Sequence, residues 1–407
     1  MATAAEQSSH FKLGHRPALD GMRGVSILVV LFEHGYLFKY GRGGFLGVDI
    51  FFVLSGMLIT SLLAQEWQET SSISFRKFYA RRALRLLPAL FALVIFTTVQ
   101  VLLFPPEAGR LAVFRHLLGV LFYVENWAGG YTVIGHTWSL SIEEQFYIVW
   151  PLVFLLLLKL RLSPRRILLI LLAVVAAVAV HRARLFYSRY GITPHFDPRL
   201  YTGTDTRCDS LLVGCMAGIL LAWRMIPARA WVLRSLQAMA LVSCAALGLA
   251  IIFVPIDWIY LYYGAFTLIA VLIASLIVFL MLSSGSLIGR ILEWPLLKWF
   301  GRLSYSLYLW HVTVYSFYMN NFKPLPIRSY TLKIFIPLAI KFAGSVVLAC
   351  ASYYLIELRF LRMKKRFSSV STGGTGQAEL SNRSDFRERN IQIGPASAPI
   401  EAPIPRS

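Results

Sequence analysis

The chain has 407 residues, 57% hydrophobic and 15% charged, with a net charge of +20 at pH 7 and a mean hydropathy of +0.63. These values exclude a soluble globular domain. Because Lys and Arg cluster in short stretches beside apolar runs, the positive charge points to membrane topology and anionic membrane lipids, with no nucleic acid partner.

The expected fold class is all-α, a polytopic membrane protein with about ten transmembrane helices. Residues 1–15 are polar and expected to be disordered, residues 16–366 form the transmembrane domain, and residues 367–407 form a disordered cytoplasmic tail rich in Ser, Thr, Gly, Asn and Pro. The apolar run starting at Val25 has no small-residue cleavage site and leads into a second run, so no cleavable signal is expected. Spans are expected near residues 24–40, 45–64, 84–104, 138–158, 166–181, 208–224, 235–254, 261–282, 302–320 and 332–356. Arg76, Lys77, Arg81, Arg82 and Arg85 form the densest basic cluster before the tail. The positive-inside rule makes that cluster cytoplasmic, and both termini with it. Lys39, Arg42, Arg110 and Arg115 then fall on the far side, where function competes with topology. The run LLGVLFYV is too short to cross alone, so residues 117–137 are read as interfacial or re-entrant. Residues 182–206 form the longest polar connection between spans.

Cys208, Cys215, Cys244 and Cys350 all lie in or beside apolar segments, without CxxC or Cys/His spacing, so neither a disulfide nor a metal site is expected. The ionisable residues inside apolar runs are more informative, because burying them in lipid is costly. Arg23 and His34 are eleven positions apart in the first span, about three turns and about 16 Å, and therefore share a face. His34 lies near mid-membrane, either as a reactive group or as a histidine bridging two helices. Arg81, Arg82 and Arg85 gather guanidinium forks at one end of the third span, suited to a polyphosphate or simply to fixing topology. Asp49, Glu143 and Glu144 sit in spans two and four toward the outer side, as a general acid or base or as members of ion pairs. Asp205, Arg207 and Asp209 alternate in sign at the mouth of span six, which favours capping and ion pairing over substrate contact. His311 is a second-tier candidate in span nine, and Glu33 projects about 100° away from His34.

Six ordered stretches carry a resemblance: RPALDGMRGVSILVVLFEHG, GGFLGVDIFFVLSG, FYARRALRLLP, HTWSLSIEEQFYIVWP, YTGTDTRCDSLLVG and FGRLSYSLYLWH. Together they resemble the acyltransferase 3 family of integral membrane acyltransferases, in particular bacterial O-acetylases of lipopolysaccharide O-antigen, exopolysaccharide and peptidoglycan. The family's Arg or Lys, ten residues, then His pattern falls on Arg23 and His34, its RxxR on Arg82 and Arg85, and its SLSxE element on Glu143. The resemblance implies an essential histidine and arginines that handle an acyl-CoA donor. One departure is Glu357-Leu358-Arg359, where members often carry Glu, any residue, Pro. Another is the lack of the periplasmic esterase-like domain that some relatives carry after the last span.

Joined, these readings predict a membrane O-acyltransferase of the bacterial inner membrane. Acetyl-CoA or another acyl-CoA docks at the cytoplasmic face with Arg82, Arg85 and Arg81 on its phosphates and Arg23 nearby. His34 acts as general base or transient acyl carrier, and Asp49 and Glu143 shape the outward half, where a hydroxyl of a glycan or lipid-linked saccharide arrives. A proton- or anion-coupled transporter is the alternative, since it too would place His and carboxylates at mid-membrane. A purely structural or lipid-binding membrane protein is a third reading, and would tolerate loss of all these charges.

Overall fold

The computed structural model describes residues 13–35, 42–104, 109–128, 133–227, 229–283, 285–322 and 329–363, all within one compact unit. The tail expected at 367–407 lies outside them, as do Lys39 and most of the N-terminal segment. Of that segment Leu13 is described: it is buried, and its N–H donates to Gln65 Oε1 (3.3 Å).

In chain order the helices are α1 (Pro17–His34), α2 (Leu46–Thr70), α3 (Phe75–Leu103), α4 (Arg110–Leu121), α5 (Glu125–Ala128), α6 (Trp138–Lys159), α7 (Pro164–Tyr190) and α8 (Pro198–Thr202). They continue with α9 (Thr204–Ala222), α10 (Ala230–Phe253), α11 (Phe266–Leu282), α12 (Leu287–Leu292), α13 (Pro295–Asn321), α14 (Tyr330–Ala351) and α15 (Leu358–Met363). No strand occurs among the described residues. By length and composition seven stretches can cross a membrane: α2, α3, α6 with the turn before it, α7, α10, α11 with its π-helical start, and α14 continued to Met363. The protein is therefore a multi-pass integral membrane protein. Helices α1, α9 and α13 fall on the other expected spans. Two of them carry three Asp, Glu or Arg residues each, Asp20, Arg23 and Glu33 in α1 and Asp205, Arg207 and Asp209 in α9. These are the more interior helices: Ile27, Val30 and Leu31 of α1 and Leu211 and Ile219 of α9 have no exposed surface, whereas α3 presents Ile95 and Leu103 outward.

Small residues allow the two closest helix pairs to form. A Cβ on Gly21 would lie 1.7 Å from Leu292 O, and one on Gly301 would lie 1.8 Å from Asp20 O, so α1 and the α12–α13 segment meet backbone to backbone. Higher along the same pair, Tyr315 OH donates to Leu31 O (3.1 Å), which makes α1 and α13 run parallel. Gly56 and Gly214 do the same for α2 and α9, where added Cβ atoms would sit 2.0 Å from Leu211 O and 2.2 Å from Val53 O.

Two expectations change. The polar connection expected at 182–206 is shorter, because α7 continues to Tyr190. Its extra turns hold Arg182, fully buried, with its guanidinium donating to Asp209 (2.9 Å), Thr206 O (2.6 Å) and Thr267 Oγ1 (2.9 Å). A guanidinium paired with Asp209 and bonded through both Nη atoms removes the reason to end the helix there. The first span starts earlier than expected, at Pro17, because the missing N–H of proline costs nothing in a first turn. Helix α4, which reaches into the 117–137 stretch as far as Leu121, has 12 residues and a rise of about 18 Å, too short to cross a core of about 30 Å.

Candidate active site

Helices α1, α2, α3, α6 and α13 enclose a cavity of about 90 Å³ lined by Arg23, Ser55, Arg82, Arg85, Ser139, Glu143, Tyr147, Ser304, Tyr305 and Tyr308, with Val48, Phe51, Phe52, Leu58, Leu86 and Leu140 supplying the apolar wall. It thus gathers Arg23, Arg82, Arg85 and Glu143 from three helices far apart in sequence. Glu143 is fixed from two sides: Ser55 Oγ donates to Oε1 (3.0 Å) and Tyr147 OH to Oε2 (3.4 Å). Arg82 stacks with its Cζ 4.7 Å from the Tyr147 ring centroid. Tyr305 OH donates to Leu86 O (2.8 Å), tying α13 to α3 at the cavity wall. Three guanidiniums around one carboxylate leave the cavity cationic and rich in forked donors, the chemistry that binds phosphate oxygens.

Beyond the cavity lies a layer of imidazoles. The His34 and His311 ring centroids are 4.9 Å apart, and His136 is 5.1 Å from His311, both pairs edge to face. His34 Nδ1 lies 3.0 Å from Val30 O, and a carbonyl can only accept, so Nδ1 carries a proton and Nε2 is the nitrogen left to act as a base. His311 is fixed alike, through Leu307 O (3.0 Å) and Tyr308 O (2.8 Å). Among the described residues no group of three or more His, Cys, Asp or Glu side chains is arranged to hold a metal.

The order of residues along each helix sets the relation between the layers. On α13, Tyr305 and Tyr308 line the cavity, and His311 follows one turn on. On α6, which runs the opposite way, Ser139 is followed by Glu143 and Tyr147, and His136 stands in the turn just before the helix. On α1, Arg23 lines the cavity and His34 lies about 16 Å further along. Arginines, carboxylate, hydroxyls and imidazoles are therefore stacked along one axis.

The remaining sequence candidates lie elsewhere. Asp49 is fully buried but lines no part of the cavity; it accepts from Arg207 Nη2 (2.9 and 3.0 Å) and Ser210 Oγ (3.0 Å), joining α2 to α9. Arg207 in turn lies 3.7 Å over the Phe266 ring. Arg81 is 3.7 Å from Glu66 and also outside the cavity lining. The Asp205, Arg207 and Asp209 set is an ion-pair array as its sequence suggests, with Asp205 held by the Arg199 fork (2.9 and 2.8 Å). Glu33 does not orient His34, whose Nδ1 faces Val30 O. Glu357 is buried, accepting from Ser306 and from Ser352 (3.4 Å) across the π-helical segment Ser352–Glu357, so the departure near the chain's last span still leaves this carboxylate bonded. Sequence reasoning missed Ser55, Ser139, Tyr147, Tyr305, Tyr308 and His136. Three of them, His136, Ser139 and Tyr147, stand in or beside HTWSLSIEEQFY, within one or two turns of Glu143.

Fold and site together define a multi-pass membrane protein with a buried cationic cavity beneath a histidine cluster. Residues 16–356 match the Acyltransferase domain of the acyltransferase 3 family, and the chain belongs to that family. It is 34% identical over 361 residues to a putative peptidoglycan O-acetyltransferase, YrhL, of Bacillus subtilis, covering 84% of this chain and 54% of the relative. It is 30% identical over 330 residues to the peptidoglycan O-acetyltransferase OatA of Listeria monocytogenes, covering 76% and 51%. A putative O-acetyltransferase of Staphylococcus aureus is 34% identical over 369 residues, covering 86% and 58%. The chain thus spans a little over half the length of these relatives. No solved structure matches it.

Proposed function

We propose that this protein is a membrane O-acyltransferase that moves an acetyl group from acetyl-CoA to a hydroxyl of a cell-envelope glycan, with the cationic cavity as donor site. The observation that carries this reading is the convergence of Arg23, Arg82, Arg85 and Glu143 on one cavity, with His34 presenting Nε2 further along the same helix face. A cavity of about 90 Å³ is far smaller than the roughly 300–1,000 Å³ of sites that enclose a whole small ligand. Only the thioester end of the donor enters it, while the donor's phosphates stay at its mouth against Arg82 and Arg85.

His34 Nε2 takes the proton of the acceptor hydroxyl, and the oxygen attacks the thioester carbon. The C–S bond breaks as the C–O bond forms, and the proton passes to the departing thiolate. Alternatively Nε2 carries the acyl group transiently before the hydroxyl takes it. Glu143, held by Ser55 and Tyr147, balances the guanidiniums so that they grip an anion without repelling one another's helices. Asp49 contributes by locking α2 to α9. With α1, α9 and α13 counted as spans, about ten helices cross a bacterial inner membrane, both termini are cytoplasmic, and the donor approaches from that side. Peptidoglycan is the acceptor favoured by the relatives' names, and a lipid-linked saccharide is the form in which it would reach the membrane.

Radiolabelled acetyl-CoA, supplied to membranes expressing the protein, tests this reading. Label is expected in the glycan or glycolipid fraction with the wild type and not with His34→Ala. Equal labelling by the two overturns the role of His34, and no labelling above background by the wild type overturns the acyltransferase.

A further inference from the structure

Between the cavity and the imidazole layer stands one pair of side chains. Tyr308 lines the cavity, yet its ring is 5.5 Å from that of His136 and 5.7 Å from that of His311. Ser139 lines the cavity from the opposite helix, and its Oγ is 2.5 Å from Tyr308 OH. Tyr308 OH donates onward to His136 O (2.6 Å), so Ser139 Oγ–H donates to the phenol and both hydroxyls are committed to holding each other across α6 and α13. Both side chains are buried. None of the three histidines lines the cavity, so Tyr308 and Ser139 form the shared wall between the layers.

We infer that the Ser139–Tyr308 pair is the specificity gate of this enzyme: it admits a two-carbon acyl group toward His34 and excludes longer chains. The inference rests on the acyltransferase reading and adds to it the residues that set the size of the transferred group. The reasoning is steric. A donor held by its phosphates on Arg82 and Arg85 presents its acyl end toward the imidazoles, and that end meets the phenol. An aromatic ring held by the Ser139 hydroxyl and the His136 carbonyl cannot swing aside without breaking two bonds, so each added methylene either breaks the clamp or displaces the carbonyl carbon from the histidine layer. Discrimination by a pocket of this kind runs at about 10-fold or more per methylene.

The test is a chain-length series on purified protein, measuring kcat/KM for acetyl-, propionyl- and butyryl-CoA. The wild type is expected to favour acetyl over butyryl by about 100-fold, two methylenes at about 10-fold each. Tyr308→Leu and Ser139→Gly each open the wall and are expected to raise the butyryl-to-acetyl ratio at least about 10-fold. Tyr308→Phe keeps the ring but removes both bonds that hold it, so its ratio is expected to fall between that of the wild type and those of the wall-opening variants. Ser139→Val narrows the wall and is expected to lower acetyl turnover while CoA binding, read by isothermal titration, persists. Two wall-opening variants with wild-type ratios would overturn the gate and leave the acyltransferase standing. A wild type that turns over no acyl-CoA of any length would overturn both. Tyr308→Leu and Ser139→Gly change different helices, so misfolding of one leaves the other as the deciding measurement.

Discussion

The buried Asp49–Arg207 pair offers the most direct check on how the charges inside this protein divide between structure and chemistry. Both side chains have no exposed surface, and the carboxylate accepts three bonds, two from the guanidinium and one from Ser210. Replacing Arg207 with Met removes two charge-assisted bonds and leaves a fully buried carboxylate with the Ser210 hydroxyl still donating to it. Breaking a buried pair from one side costs about 3–5 kcal/mol, because the remaining charge is neither solvated nor paired. Asp49→Leu strands the guanidinium in the same way. The double variant Asp49→Leu/Arg207→Met strands neither group, and such replacements are often neutral or stabilising. A cycle of the four proteins, unfolded by SDS in mixed micelles, should therefore give two single variants destabilised by about 3 kcal/mol or more and a double variant within about 1–2 kcal/mol of the wild type. In the folded fraction the double variant should retain acetyl transfer, since neither residue lines the cavity. Single variants within about 1 kcal/mol of the wild type would refute the structural reading, and loss of transfer in a stable double variant would return Asp49 to the chemistry.

Two further outcomes follow from the packing and the cavity. Gly301→Ala would place a methyl group 1.8 Å from Asp20 O, backbone that cannot yield without moving α1. It should destabilise the protein by about 2–3 kcal/mol and misalign Arg23 and His34 with the rest of the site, seen as lowered stability together with lost transfer. Arg85→Ala removes a cavity guanidinium whose bonds to phosphate would each contribute about 1.5–3 kcal/mol, so the KM for acetyl-CoA should rise by about 10-fold or more; an unchanged KM would move the donor elsewhere.

The charged part of the site was legible because an ionisable residue within an apolar run has no bland surroundings to hide in. Arg23, Arg82, Arg85 and Glu143 stand out in this way, and the cavity unites them, which corrects the expectation that Glu143 shapes the outward half apart from the arginines. Asp49 stood out for the same reason, yet its partner is 158 positions away on α9, and no spacing rule could have paired it with Arg207 rather than with a substrate. The hydroxyl layer was not legible. Serine and tyrosine are ordinary in membrane helices, and the Ser139–Tyr308 contact joins positions 169 apart. Hydropathy located the long apolar helices, but it ended the fifth span near residue 181, just before Arg182, whose buried ion pair carries the helix onward to Tyr190. In that region tertiary pairing outweighs the local polarity that a sequence shows.

The central claim is that the arginine cavity holds the donor and His34 carries out the transfer. It is tested most directly by purified His34→Ala protein in lipid vesicles, with CoA binding measured at equilibrium and acetyl transfer to a soluble sugar measured in a single turnover. The account predicts binding within about 3-fold of the wild type and transfer lowered by about 100-fold or more, the contribution of a general base. Transfer at the wild-type rate with binding intact would contradict it.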